Sequence, residues 1–229
     1  QIYWEGKSIR RECQRKRQRK EEIMEEYLAL ITAGQGEIVE KKSRFIGYTK
    51  AVTTEEEAAS FIESIRKKHY DARHNCFAYS IGLGSQPLLR FSDDGEPQGT
   101  AGKPILEVIQ GSGVRNLCIV VTRYFGGTLL GTGGLVRAYT EAAKAGLEAG
   151  TIRLMRPLIR GQMVLEYTDL GKIQYLIGNT DGEITDTRYT DKVTLTVQIY
   201  APVYDRFEAE VTEASGGRIQ IQKTGEIFG

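Results

Sequence analysis

The sequence predicts a soluble α+β protein of two domains, and three patterns carry that prediction. Glycine-punctuated, β-branched segments alternate with amphipathic helical stripes between residues 36 and 150. The apolar run LCIVVTRYF has the continuous character of a strand buried on both faces. Residues 162–222 then repeat a strand–helix–strand–strand–helix–strand order, the split βαβ plan of ferredoxin-like domains. A chain of 229 residues holds one large or two modest domains, each able to bury its own core. The expected division is 24–156 and 157–229, with a separate leader at 1–23.

In order along the chain, GEIVEKKSRFIGYTKAV from Gly36 reads as two strands or one bent strand, punctuated by Gly47. Thr53 and Thr54 precede three glutamates, a helix start, and Ala58, Phe61, Ile62 and Ile65 give residues 54–68 one apolar face. NCFAYSIG and LLRFSDD form a strand pair across the turn cluster GLGSQP. Thr100–Gln110 is a second helix, LCIVVTRYF the central strand, and LVRAYTEAAKAGLEAG a third, Ala-rich helix with Gly150 as its C-cap. Residues 151–160, with Pro157, read as the join. Beyond it come strand QMVLEY, a helix striped by Leu170, Ile173, Leu176 and Ile177, and strands GEITDTRY and VTLTVQI. A helix striped by Val203, Phe207, Val211 and Ala214 stops at Gly216-Gly217, and RIQIQ is the expected last strand.

Bulk properties narrow the function classes. No apolar run approaches the roughly 18 residues of a membrane helix, and no leader with a small-residue cleavage site is visible. Cys13, Cys76 and Cys118 are odd in number and far apart, which argues against a disulfide framework or zinc site and suits a reducing cytoplasm. Two histidines, His69 and His74, limit any mechanism that needs a His pair. Residues 1–23 carry eight Lys/Arg against four Asp/Glu, residues 24–156 carry 16 against 15, and residues 157–229 carry 7 against 11. On charge alone the tail is a poor nucleic-acid surface, and no DNA-specific signal is present. The basic leader reads either as an arm that grips RNA or membrane, or as translated upstream sequence. The second reading is favoured: Lys20-Glu21-Glu22 back-translates to AAR-GAR-GAR, which accommodates the ribosome-binding sequence AGGAGG shortly before the Met24 codon. The expected start is Met24.

The main candidate site is Arg123-Tyr124-Phe125-Gly126-Gly127, followed by Gly131, Gly133, Gly134 and Arg137, between a buried strand and a helix. Glycines there let backbone N–H groups crowd toward an anion at a helix N-terminus. Arg123 would add a bidentate guanidinium, and Tyr124 or Phe125 a stacking face. The same glycines also fit a purely conformational role, and the pattern is neither a Walker A loop nor a Rossmann fingerprint. Ser92-Asp93-Asp94-Gly95-Glu96-Pro97 offers oxygens to a hard cation but more often is a solvated turn; Lys103 stands just beyond it. His74 and Cys76 share a strand face, which invites a thiol nucleophile, yet the apolar neighbours of Cys76 favour a small buried side chain. His74 is then a polar contact to the acidic loop. No catalytic residue, metal site or cofactor is assigned.

The run GKPILEVIQGSGVRNLCIVVTRYFGGTLLG, from Gly102 to Gly131, with DARHNCFAY, FSDDGEPQGTAG and GGLVRAY around it, resembles the signature of the IMPACT family, including its bacterial YigZ-like branch. The resemblance spans about residues 24–150, and the tail looks like the second domain of the bacterial members. It implies a first domain similar to domain IV of elongation factor G (βαβ-type, ribosomal-protein-like) and a tail similar to its domain V. It also implies a link to translational regulation, and it carries over no enzymatic activity. Two hypotheses follow. One is a binding module for RNA, ribosome or a translation factor, using Arg123, Tyr124, Lys103, Arg137 and the glycine loop. The other is an enzyme acting on a small anionic or phosphorylated ligand, with His74, Asp93, Asp94 and Glu96 facing that loop.

Overall fold

The computed structural model describes residues 25–229; the basic leader and the Met24 start lie outside the described residues. The described chain forms two compact units, Tyr27–Leu154 and Met155–Gly229, the second including the residues just before Tyr27.

The first unit runs β1 (Tyr27–Thr32), β2 (Gln35–Glu40), β3 (Ser43–Ala51), α1 (Glu55–Lys68), β4 (His74–Ile81), β5 (Leu88–Ser92), α2 (Gly102–Ser112), β6 (Val114–Arg115), β7 (Leu117–Tyr124), α3 (Thr132–Glu148) and β8 (Thr151–Met155). Five strands make one antiparallel sheet in the order β2-β3-β7-β4-β5, and β6-β1-β8 make a small second sheet. The position of β7 explains its unbroken apolar sequence. Leu117, Ile119 and Val121 pack with α2 and α3, while Cys118 and Val120 pack with α1. A strand covered on both faces has no solvent side to fill with polar residues.

Helix α1 begins as its sequence requires. The Thr54 hydroxyl accepts from Glu57 N–H at 3.2 Å, and the Glu57 carboxylate reaches back to Thr53 N–H at 2.7 Å. Helix α3 lies backbone-to-backbone on β2 and β3: a Cβ at Gly47 would stand 2.1 Å from the Ala142 carbonyl oxygen. It ends at Ala149, which keeps a right-handed helical conformation, so Gly150 is not the expected left-handed cap. Gly150 is instead a packing glycine, since a Cβ there would come within 2.8 Å of the Thr32 carbonyl oxygen.

The second unit runs β9 (Pro157–Leu165), α4 (Tyr167–Gly178), β10 (Gly182–Tyr189), β11 (Val193–Tyr200), a 3₁₀ turn at Ala201–Val203, α5 (Tyr204–Ser215) and β12 (Gln222–Phe228). The antiparallel order β10-β11-β9-β12 is that of a split βαβ domain. Its core takes alternate residues of β9 and β11, including Met163, Leu165, Leu195 and Val197, with Ile173 and Phe207 from the helices. Residues 151–160, read as the join, contain the boundary between the two units at Leu154/Met155 and are structured as β8 and the start of β9. One expectation is corrected. RIQIQ is not the last strand: Ile219 drops into the core, and pairing with β9 begins only at Gln222, with a register irregularity between Lys223 and Gly225.

Candidate functional site

At the end of β7, Arg123 stands opposite Phe45 of β3 and His74 of β4, on the sheet face covered by α2 and α3. Its Nη1 lies 2.6 Å from Glu96 Oε1, and the Tyr139 hydroxyl donates to the same oxygen at 2.8 Å. The guanidinium carbon sits 5.4 Å from the Phe45 ring centroid and 5.5 Å from that of Phe125. Arg123 is 6% exposed and Glu96 9%. This corrects the expectation that Arg123 offers a bidentate fork to an anion in solvent. The guanidinium is committed to a buried carboxylate, and its Nε has no hydrogen-bond partner.

The acidic loop behind β5 is a cap for α2. Asp93 accepts from the backbone N–H groups of Gly99 at 2.8 Å, Ala101 at 3.0 Å and Gly102 at 2.8 Å, placing a negative charge on the helix N-terminus. Asp94, left-handed at φ 45°, accepts from Asn75 N–H at 2.7 Å and pairs with Arg66 at 2.8 Å. The His74 ring meets the Asp94 carbonyl through Nδ1 at 2.9 Å, which fixes the proton on that nitrogen. The Cys76 thiol donates to the Asp93 carbonyl at 2.9 Å, and burial pushes it far above the usual thiol range, so no thiolate forms at neutral pH. The fold therefore brings His74, Asp93, Asp94, Glu96 and Arg123 to one side of the sheet and already engages them, Arg123 with Glu96, His74 with the Asp94 carbonyl, and the two aspartates with backbone N–H groups and Arg66.

The segment above this network stays open. Phe125 is 52% exposed and Leu129 82%. Gly127, Gly131, Gly133, Arg137 and Lys103 are exposed, with Gly134 partly covered by the Leu130 side chain. Helix α3 starts at Gly131 with no side-chain cap on its first N–H groups. Gly126 presses against the β2–β3 turn: a Cβ there would lie 2.1 Å from the Lys42 carbonyl oxygen, and its N–H donates to Ser43 Oγ at 3.1 Å.

Tyr124 is not a free stacking face. Its hydroxyl donates to Asp71 at 2.9 Å and meets His69 Nδ1 at 2.9 Å, while His69 Nε2 meets the Tyr48 hydroxyl at 2.7 Å. Desolvation pushes His69 below its ordinary pKa, and the neutral ring completes a one-way chain from Tyr48 through His69 and Tyr124 to Asp71. Sequence reasoning missed this chain because its four members come from β3, the end of α1, β7 and a loop, with no local pattern linking them.

The Impact N-terminal domain model matches residues 41–147, and a domain of unknown function, DUF1949, matches residues 163–218. IMPACT family member YvyE of Bacillus subtilis is 39% identical over 208 residues, covering 90% of this chain and 94% of that protein. IMPACT family member YigZ of Escherichia coli is 43% identical over 195 residues, covering 84% of this chain and 96% of that protein. A solved structure described as a hypothetical protein matches with a TM-score of 0.57 at 40% identity, over 88% of this chain and 98% of that one. With a family model and near full-length relatives agreeing over the unit that holds the glycine loop, the chain belongs to the IMPACT family.

Proposed function

We propose that this protein is a cytoplasmic binding protein of the translation apparatus that contacts RNA, the ribosome or a translation factor through the loop between β7 and α3. The observation that carries the reading is the contrast across that loop. The Arg123–Glu96 pair beneath it is buried, and His74, Asp93 and Asp94 beside the pair are half-buried and already hydrogen-bonded, while Phe125, Gly127, Gly131, Gly133 and Arg137 face solvent above it. Uncapped helix N–H groups and an exposed guanidinium attract negative charge, and an exposed ring suits a base or an apolar partner. Lys103, at the start of α2, extends the same chemistry. The split βαβ second unit and the antiparallel first unit support the finer analogy with domains V and IV of elongation factor G. The buried cluster is read as the scaffold of this loop rather than a reaction centre, because each carboxylate already has its donors.

The test is co-sedimentation with ribosomes across a salt series. Association that weakens steeply with salt, and that falls further in Arg137→Ala and Phe125→Ala variants, is expected. Absence of association even at low salt overturns the proposal.

A further inference from the structure

We infer that the turn between β2 and β3, Lys41-Lys42, is a second contact of this loop edge with an RNA phosphate backbone. The inference rests on the reading that the edge binds RNA. The turn has two residues, both left-handed, at φ 47° and 67°. Hairpins of this kind favour Asn-Gly, because a Cβ followed by a long side chain is strained at positive φ. Here lysines occupy both positions, and both are exposed. The turn gains nothing locally from them: neither lysine has an ion pair among the described residues. Arg44, one residue past the buried Ser43, is by contrast held to Glu37 at 2.7 Å. Local strain kept at an exposed, charged position points to use of that charge elsewhere.

The surroundings hold the two charges in place. Gly126 lies directly on the Lys42 carbonyl and bonds Ser43, so the hairpin tip and the start of the glycine loop form one rigid edge. Phe125, next along, offers an exposed ring. Two ammonium groups as point charges beside open loop amides and an aromatic face match a chain of phosphates with bases between them. An acidic protein surface would use the ammonium groups and the amides but brings no base to stack on the ring.

The turn chemistry provides the test. Lys41→Asn/Lys42→Gly installs the favoured turn and removes both charges; Lys41→Gln/Lys42→Gln removes the charges and leaves the strain. Binding of the full chain to ribosomes and to single-stranded homopolymeric RNA is measured across salt. Both variants are expected to lose about tenfold in affinity at low salt, a several-fold loss per phosphate contact. Their log–log salt slopes should fall by about two. The Asn-Gly variant is expected to melt at least about 2 °C higher, which separates lost charge from lost structure. Wild-type protein that binds RNA while both variants bind equally well overturns this inference alone. Wild-type protein that binds no RNA overturns this inference and the RNA reading of the edge together. Competition by polyglutamate but not by RNA assigns the lysines to an acidic protein and overturns the inference.

Discussion

Arg123 is held by one carboxylate and two rings in a place that water barely reaches. A buried ion pair of this kind costs far more to break than to replace. Glu96→Ala leaves the guanidinium uncompensated and should destabilise the protein by about 3–5 kcal/mol in urea unfolding. The double change Arg123→Met/Glu96→Leu should cost much less than the sum of the single changes. A near-zero effect of Glu96→Ala would mean that the pair does not form. His69 makes a second residue-level prediction. Its folded pKa lies below the ordinary 6.5, so the unfolded chain takes up a proton first as pH falls. The stabilising contribution is complete above pH 6.5 and is lost as pH drops from there through the folded value. Stability measured across that window should show a slope that His69→Gln removes. The buried thiols make a third. Cys76 is pushed far up and Cys118 up to about 12, so both should resist alkylation in the native protein and react once it is unfolded, as peptide mapping would show.

At the scale of elements, the sequence was most legible where local pattern and burial agree. The apolar run of β7, the Thr54 cap of α1 and the alternation of β11 each state their environment, and each lies where it was expected. Legibility failed where an element has little core to report. Strand β8 is almost wholly exposed, so its residues look like a linker. The edge strand β12 shows no inward alternation, whereas Ile219 and Ile221 mimic a strand from a loop. The packing of α3 on β3 was also invisible, because Gly47 reads in sequence as punctuation rather than as room for a helix backbone. Gly47→Ala forces that helix outward and should cost about 1–3 kcal/mol, measured by denaturant unfolding. The candidate site divided in the same way. For the glycine stretch the sequence left a binding role and a purely conformational role open, and it could not say that Arg123 turns inward, because the partner that captures it is 27 positions away.

At the scale of the whole molecule, the proposed binding surface lies on the first unit. Residues 157–229 carry 7 basic against 11 acidic side chains, which disfavours a phosphate partner there. The glycine loop, Arg137 and the Lys41-Lys42 turn all belong to Tyr27–Leu154. The most direct test of the central claim is amide hydrogen exchange of the full chain with and without ribosomes at low salt. Protection concentrated at residues 126–134 and around residues 41–43, with the second unit unchanged, is the predicted result. Protection confined to residues 157–229, with the loop exchanging as in the free protein, would contradict it.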